Sequence, residues 1–414
     1  MKWLAVVPLL VLAGLLVIPR PHATVLPAGV VVLHREMIVQ GEVVGDPKGT
    51  VVRMAPNFQG RAAIVVIGAA RLHDFTIEGN GEVRAELPPW NVPFARFTRG
   101  SGVLVEGATG VEIQRLTIRN VGGFAVLVSR SHRVGVGQVT VENSGSRNAA
   151  GKNNATGGVL FEEGTTYFEA GGCTFRNVLG NAIWTHSLYT SPRNALGWID
   201  MNRFENIGRD AVQVGHATNV LVRGNGGHAI GFPKEIVDAT PAALDTAGNV
   251  EHSSYSGNYF QQINGKCIDL DGFHDGGVWG NECRDVGGYG IVFNNTNPDM
   301  QSRNIRLTDN TLENVMYGGI FVIGSGHMVA NNHLLNLNYS HCDGCGYVPD
   351  EPDMLDSGIY LGRKAERAAP ARGNVVENNE ITGYKMKARC VGHAPGIEAD
   401  WNTVRGNVCS EPRP

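Results

Sequence analysis

The phrase LTIRN, residues 116–120, decides the fold because close copies of it recur along the chain. Further copies are VTVEN from Val139, CTFRN from Cys173, NRFEN from Asn202 and NTLEN from Asn310. The copies at positions 116 and 139 start 23 residues apart, and those at 310 and 332 start 22 residues apart. A fixed period in this range indicates a repeat that stacks into a solenoid.

A second pattern follows each phrase. Five residues after the Asn that ends it comes a small residue, and a β-branched apolar residue comes next, as in Ala125–Val126, Ala182–Ile183 and Ala211–Val212. The middle residue of each phrase is also apolar, so these columns alternate between inside and outside as short strands do. Each coil therefore contains at least two strands, and stacked coils form parallel sheets around an apolar interior.

The Asn that ends each phrase is interpreted as structural. Asn tolerates the left-handed backbone conformation that a tight turn requires, and amides in successive coils can hydrogen-bond to one another in a ladder. These residues are therefore not candidates for catalysis or glycosylation.

Composition and the N-terminus bound the class of protein. The chain has 414 residues, 55 of them Gly, and its net charge of -4 argues against a nucleic-acid partner. A continuous repeat predicts one β-helix domain over residues 24–414. Residues 1–23, with their apolar stretch Trp3–Ile18, predict a signal peptide or an uncleaved anchor. We expect a monomer that is secreted, periplasmic or in the cell envelope, with membrane contact only through an uncleaved N-terminal segment.

The seven cysteines fit an oxidising compartment and leave one thiol unpaired. Cys390 and Cys409 are placed to staple the last coil. The Cys-x-x-Cys motif at 342–345 favours a loop disulfide over half of a zinc site. Cys267 and Cys283 are interpreted as small core residues.

Together these patterns resemble the right-handed parallel β-helix of the pectate lyase-like superfamily. The opening stretch LPAGVVVLHREMIVQGEVVGDPKGTVVRM, residues 26–54, is similar to the first coils of that group. The resemblance extends to about residue 409. It implies an all-β fold, a single-stranded right-handed parallel β-helix of about thirteen coils. It is specific for the fold and not for the reaction.

Four insertions interrupt the repeat, at 82–100, 144–157, 233–257 and 338–356. In solenoids such insertions form loops on one face, often the binding face. In the first insertion Trp90, Phe94 and Phe97 are suited either to stacking on sugar rings or to capping the coil.

One coil breaks the outward pattern. Residues seven and nine positions after the phrase-ending Asn should point outward, and in most coils they are apolar or neutral. The coil Cys267–Asp275 instead places Asp269 and Asp271 there. Two carboxyl groups this close push one pKa up, so that one can hold a proton while the other stays charged. Hydrolysis of glycosidic bonds uses such a pair.

We therefore predict a carbohydrate-active enzyme that hydrolyses a polysaccharide, with Asp269 and Asp271 as catalytic acid and base and His274 as a further catalytic candidate. No cofactor is predicted, although clustered carboxylates are also compatible with a Ca²⁺ site or a solvated surface. The predicted substrate-binding residues are Trp184, His186, Gln213, His216, Asp275 and Asn294.

Two other hypotheses remain open. Polygalacturonase-like members carry several motifs of which only the Asp pair has an analogue here, split by one residue. The stretch Asp271–Asp275 loosely resembles the Asp-Pro-His-Asp/Glu stretch of alginate C5-epimerases and related lyases. That resemblance implies that His274 abstracts the C5 proton of a uronate, with Lys234, Lys266 or Arg363 as the cation that neutralises the uronate.

The other hypothesis is a non-catalytic carbohydrate-binding or surface-structural β-helix.

Overall fold

The computed structural model describes residues 23–81, 91–147, 155–232, 241–344, 351 and 354–411. The predicted signal or anchor stretch Trp3–Ile18 lies outside these residues, as do Trp90, Lys234 and Cys345. Within the described part of the chain, no helix has the length and apolar character needed to cross a membrane.

The described chain consists almost entirely of short strands. In chain order they are β1 Thr24–Val25, β2 Gly29–Leu33, β3 Met37–Val44, β4 Thr50–Met54, β5 Ala62–His73, β6 Thr76–Glu78, β7 Ser101–Glu106, β8 Thr109–Gln114, β9 Thr117–Arg119, β10 Phe124–Ser129, β11 His132–Gly137, β12 Thr140–Glu142, β13 Gly157–Glu162, β14 Thr166–Gly171, β15 Thr174–Val178, β16 Asn181–His186, β17 Asn194–Asp200, β18 Arg203–Ile207, β19 Val212–Val214, β20 Ala217–Arg223, β21 Gly226–Ile230, β22 Ala242–Glu251, β23 Ser254–Ser256, β24 Tyr259–Ile263, β25 Lys266–His274, β26 Gly276–Trp279, β27 Glu282–Val286, β28 Ile291–Asn294, β29 Ile305–Thr308, β30 Thr311–Val315, β31 Ile320–Val322, β32 Met328–Ala330, β33 His333–Leu337, β34 Ile359–Leu361, β35 Val375–Glu377, β36 Glu380–Gly383, β37 Val391–His393, β38 Thr403–Arg405 and β39 Val408–Ser410. One four-residue helix, α1 at Phe94–Phe97, and a 3₁₀ turn at Ala399–Trp401 accompany them.

Each regular coil contributes three strands, as β10, β11 and β12 do. Each strand pairs in parallel with its equivalent in the next coil: β10 with β13, β11 with β14 and β12 with β15. The third strands form a 14-stranded sheet, while the first and second strands merge into a 25-stranded sheet through long strands such as β22. The predicted all-β parallel β-helix is confirmed. The 14-stranded sheet has one strand more than the predicted thirteen coils.

The predicted apolar columns form the interior. Val126, Ile183, Val212 and Ile268 are buried in one continuous core, because side chains of alternate residues enter it from every coil. Phenylalanines stack along the axis, with the ring centroids of Phe175 and Phe204 5.3 Å apart.

Two ladders of asparagine run along the solenoid. The predicted one joins phrase-ending residues with left-handed backbones: Asn143 Nδ2 donates to Asn120 Oδ1 at 3.3 Å, and Asn177 Nδ2 to Asn143 Oδ1 at 3.1 Å. A second ladder lies at the start of the phrases, where each Nδ2 donates to the next Oδ1 at 2.8–2.9 Å. Its members are Asn202, Asn225, Asn258, Asn281, Asn310, Asn332, Asn379 and Asn407. This ladder satisfies polar groups at turns where water has little access.

The cysteine predictions have mixed outcomes. The Cys390–Cys409 disulfide is present near the last coil. Cys342 is also disulfide-bonded, and its predicted partner is outside the described residues. The interpretation of Cys267 and Cys283 as merely small core residues was wrong. They form a disulfide across the interior between β25 and β27, because inward positions on two strands of one coil face each other.

Two insertions also differ from expectation. Phe94 and Phe97, in the first insertion, pack against the outer face of the first strands, so they cap the coil rather than present rings to solvent. The loop predicted over 233–257 was wrong, since residues 242–251 and 254–256 are strands. The stretch Ala242–Ala247 has the alternation of a first strand but follows no recognisable phrase, which hid it from the repeat count.

Candidate active site

An acidic cluster lies at three consecutive first strands, β19, β22 and β25. We define it as Asp210, which precedes β19, together with Asp245, Asp269 and Asp271. The strand register places Asp245 directly opposite Asp269. Leu244, Ile268 and Leu270 are buried in the core, so Asp245, Asp269 and Asp271 point outward. The predicted pair is therefore part of a larger group of carboxyl groups.

Lys266 forms an ion pair within the cluster, and the positive charge of Arg209 acts on Asp210. The Nζ of Lys266 forms its ion pair with Asp269 Oδ2, and the two side chains are only 7% and 11% exposed. An adjacent ammonium favours the charged form of a carboxyl group. Asp269 Oδ1 has no hydrogen-bond partner among the described residues. Asp269 is thus ion-paired through one oxygen, while its buried second oxygen has no partner among the described residues.

The surroundings of Asp271, in contrast, favour its protonated form. Burial and the negative charge of Asp269 raise its pKa to about 6, although the backbone N–H of Thr296 donates to its Oδ1 at 2.8 Å. Asp271 can therefore hold a proton in mildly acidic solution. The two groups whose roles the sequence left interchangeable are distinguished by their surroundings, as an acid and a base must be.

A chain of amides fixes Asp245. Asn181 Nδ2 donates to Gln213 Oε1 at 2.7 Å, and Gln213 Nε2 donates to Asp245 Oδ2. Burial, together with the charges of Asp210 and Asp269, raises the pKa of Asp245 well above its usual range. Burial therefore favours the protonated form of Asp245, and the predicted substrate-binding residue Gln213 holds it by a hydrogen bond.

Asp210, which precedes β19, is the fourth member of the cluster. It is 2% exposed, and its Oδ1 accepts the N–H of Ala242 at 2.7 Å. Burial raises its pKa to about 6. The described part of the cluster thus contains three carboxyl groups with raised pKa values and one that is ion-paired.

Two predicted histidines border the cluster. His186 and His216 lie on the neighbouring coils, and burial lowers the pKa of each to about 4, so both are neutral at ordinary pH. Within the described structure, the buried Nδ1 of each has no hydrogen-bond partner. A buried polar atom left unpaired is uncommon and points to a ligand or water. Trp184 is only 6% exposed, because Phe94 of α1 packs against it at 5.0 Å, so it is not an open platform for a sugar.

The other predicted residues lie at the far end of β25. His274 is 2% exposed, with Nδ1 2.8 Å from Asp275 Oδ2 and Nε2 2.7 Å from Asn249 Oδ1. Burial raises the pKa of Asp275, but hydrogen bonds from Asn304, His274 and Arg303 outweigh this and lower it to about 2. Both ring nitrogens of His274 are therefore engaged in holding a turn.

Asn294 pairs in register with Asp271 on the next strand. Its Oδ1 accepts the backbone N–H of Asn295 at 2.8 Å, and its side chain is partly exposed. It borders the cluster on the side of β28.

Sequence reasoning missed Asp210, Asp245 and Tyr189. Asp245 was hidden because its coil lacks the phrase used for counting, yet Ala-Leu-Asp-Thr-Ala at 243–247 matches Cys-Ile-Asp-Leu-Asp at 267–271 in its alternation. That match is the signal that could have revealed it. Tyr189 lies in the segment between β16 and β17, and no pattern in the sequence distinguishes it.

One group of residues brings possible metal ligands together. Within the described ranges, one group of three side chains has ligand atoms that all lie within 4.8 Å of one another, and it consists of Glu162, Glu163 and His186. No three members of the acidic cluster, which lies within those ranges, meet this criterion. Glu162 is already engaged, since its two oxygens accept the N–H groups of Phe94 and Ala95 at 2.7 and 2.9 Å.

Comparison with known proteins gives the class of fold. The scan of protein-family models and the search of curated proteins both find no match. Among solved structures the chain is similar to the catalytic domain of a GH87 alpha-1,3-glucanase in complex with nigerose, at 14% identity over 93% of this chain, with a TM-score of 0.57. A variant of such a glucanase domain with bound tetrasaccharides gives 14% identity and a TM-score of 0.58. The chain spans 64% of the length of these glucanase chains.

A second kind of enzyme has the same architecture. The chain is similar to a DFA-IIIase from Arthrobacter chlorophenolicus A6 in complex with GF2, at 10% identity over 91% of this chain and 85% of that one, with a TM-score of 0.51. At such identities the likeness shows the parallel β-helix and nothing finer, because this fold hosts several chemistries.

Proposed function

We propose that the protein is an extracytoplasmic glycoside hydrolase that cleaves a neutral polysaccharide across its acidic cluster. The observation that carries the proposal is the contrast between Asp269, paired with Lys266, and Asp271, whose pKa is raised to about 6 by burial and by Asp269. An ion-paired Asp and an Asp that can hold a proton, on a single face, are suited to the base and acid roles that hydrolysis of a glycosidic bond requires.

The mechanism follows from these two states. Asp271 donates its proton to the glycosidic oxygen as the bond between that oxygen and the anomeric carbon breaks. Asp269 removes a proton from the water whose oxygen bonds to the anomeric carbon. Residues two apart on one strand face have Cα atoms about 6.5–7 Å apart, which suits carboxyl groups that must leave room for a water. Asp245, held by Gln213, would hydrogen-bond a sugar hydroxyl.

The charges favour a neutral substrate. Above about pH 6 the carboxylates of a polyuronate would be repelled by ionised Asp210 and Asp271. The ammonium of Lys266 is already paired with Asp269, and the nearby Arg193 is paired with Glu251. A lyase or epimerase using His274 as base has less support, because both nitrogens of that ring are engaged.

The bound ligands of the glucanase neighbours make α-1,3-glucan the first substrate to assay, followed by other neutral glucans and fructans. The disulfides support a location outside the cytoplasm, where they persist.

The test measures products. Purified protein is incubated with α-1,3-glucan, the other neutral polysaccharides and two polyuronates, and reducing ends and absorbance of unsaturated uronates are followed. The proposal predicts new reducing ends from a neutral polysaccharide without that absorbance. Because Asp271 must be protonated, kcat/KM should fall about tenfold per pH unit above its pKa of about 6. Unsaturated products from a polyuronate would refute hydrolysis, and binding without any product would favour the non-catalytic hypothesis.

A further inference from the structure

Tyr189 lies beside the acidic cluster in the segment that joins β16 to β17. Its side chain is 51% exposed, although most aromatic rings nearby are buried. Its ring centroid is 4.7 Å from that of His216, with the planes tilted by 52°. His216 is 8% exposed. Tyr189 thus rests on a buried, neutral histidine while about half of its side chain faces solvent.

A hydrogen bond from a distant coil fixes the phenol. Asn297, between β28 and β29, donates from Nδ2 to Tyr189 Oη at 3.2 Å, across 108 residues of sequence. The adjacent Thr296 donates its backbone N–H to Asp271 Oδ1 at 2.8 Å. Two adjacent residues therefore hold the tyrosine and the proposed catalytic acid, Asn297 the first and Thr296 the second.

Tyr189 also lies within electrostatic reach of Asp271. Burial is the main cause that raises the pKa of the Tyr189 phenol, and the negative charges of Asp271 and Asp299 raise it further. Tyr189 is therefore an uncharged hydroxyl at working pH, and its ring stands within electrostatic reach of the group that would protonate the glycosidic oxygen.

We propose that Tyr189 forms a sugar-stacking subsite next to Asp271, positioned by His216 and Asn297; this inference rests on the proposed hydrolase function. A pyranose ring presents an apolar C–H face that packs against an aromatic ring, and its hydroxyl groups hydrogen-bond at the edge. A tyrosine that is already held in place loses little conformational entropy when a sugar binds, so it contributes efficiently to affinity. The subsite would align the sugar next to the bond that Asp271 protonates.

The chain provides a matched control. Tyr167 on β14 is 47% exposed, and its ring centroid is 5.0 Å from that of His132. It has nearly the same exposure as Tyr189 and, like it, contacts a histidine ring. It lies on the face of the second strands, among Glu112, Glu169 and Trp198 rather than the acidic cluster. Removing it should therefore reproduce any general effect of losing an exposed tyrosine.

The experiment compares Tyr189→Ala, Tyr189→Phe and Tyr167→Ala with the wild type. Kinetics are measured on the polysaccharide that the wild type cleaves, and melting temperatures verify folding. We expect KM to rise about tenfold in Tyr189→Ala. Tyr189→Phe keeps the ring and should stay within about threefold, whereas Tyr167→Ala should match the wild type. A KM for Tyr189→Ala within twofold of the wild type, or an equal rise in Tyr167→Ala, would overturn the subsite.

Binding separates this inference from the hydrolase proposal. The dissociation constant of an α-1,3-linked glucose tetrasaccharide is measured by calorimetry in the Asp271→Asn background, with and without each tyrosine substitution. If the wild type releases no reducing ends, the hydrolase proposal fails, and a selective loss of affinity in Tyr189→Ala would still support the subsite. Equal affinity of the Tyr189→Ala and Tyr167→Ala proteins, or binding by none of the proteins, would overturn it.

Discussion

Replacing Asp210 by Asn tests the electrostatics of the acidic cluster through stability. Asp210 is 2% exposed, and burial raises its pKa to about 6, compared with about 3.9 in an unfolded chain. The folded protein therefore binds the proton of Asp210 more tightly than the unfolded protein does. Asn resembles the protonated acid in shape and can still accept the N–H of Ala242, so it removes the titration and keeps the contact.

The sign and size follow from proton linkage. The folded pKa is raised, so the stability of the wild type is highest below the unfolded pKa and declines as pH rises from about 4 to about 6. The pKa of Asp210 is about two units higher in the folded protein than in the unfolded chain. One pKa unit corresponds to about 1.36 kcal/mol, so the decline amounts to about 3 kcal/mol. Asp210→Asn should therefore match the wild type near pH 4 and exceed its free energy of unfolding by about 3 kcal/mol at pH 7.

Urea unfolding at pH 4, 5, 6 and 7 measures this difference. Asp275→Asn is the control of opposite sign, because hydrogen bonds from Asn304, His274 and Arg303 outweigh burial and lower the pKa of Asp275 to about 2. That variant should lose stability at neutral pH, and the loss should fade as pH falls from about 4 to about 2. An Asp210→Asn protein that is less stable than the wild type at pH 7 would refute the reasoning about the buried cluster.

Three further predictions concern the groups around the site. Lys266→Met should lower the free energy of unfolding by about 3–5 kcal/mol, since it leaves the buried Asp269 unpaired. The double variant Lys266→Met/Asp269→Leu should recover much of that loss in urea unfolding. A double variant as unstable as Lys266→Met would contradict this. Asn281→Ala breaks the buried ladder, because it removes the acceptor of the backbone N–H and side-chain amide of Asn258 and the donor to the Tyr255 carbonyl. It should cost about 3 kcal/mol in the same assay, whereas a loss below 1 kcal/mol would show that the ladder contributes little. Replacing both Cys267 and Cys283 by Ala opens a loop with a sequence separation of 16, which should lower stability by about 3 kcal/mol and would be contradicted by unchanged thermal unfolding.

Much of the fold could be predicted because it depends on local repetition. The phrase-ending Asn120, Asn143 and Asn177 have the predicted left-handed backbone and form the predicted ladder. Small and β-branched residues at fixed offsets are buried as expected. Each of these features arises within one coil and its neighbour, so the sequence period is sufficient to locate it.

The missed features depend on contacts between coils that do not share the phrase. Asp245 lies opposite Asp269 because of the register between β22 and β25. The sequence conceals that register because no recognisable phrase precedes β22. The disulfide from Cys267 crosses the interior, whereas the repeat reports only which residues point inward. Tyr189 reaches its position through Asn297, four coils further along.

The most direct test of the central claim is the rate of reducing-end release by Asp271→Asn protein on a polysaccharide that the wild type cleaves. If Asp271 is the general acid, kcat should fall at least about 100-fold, with the melting temperature no lower than that of the wild type, because Asn preserves the shape of the protonated side chain. An Asp271→Asn enzyme with wild-type kcat would contradict the assignment of the acidic cluster as the catalytic centre.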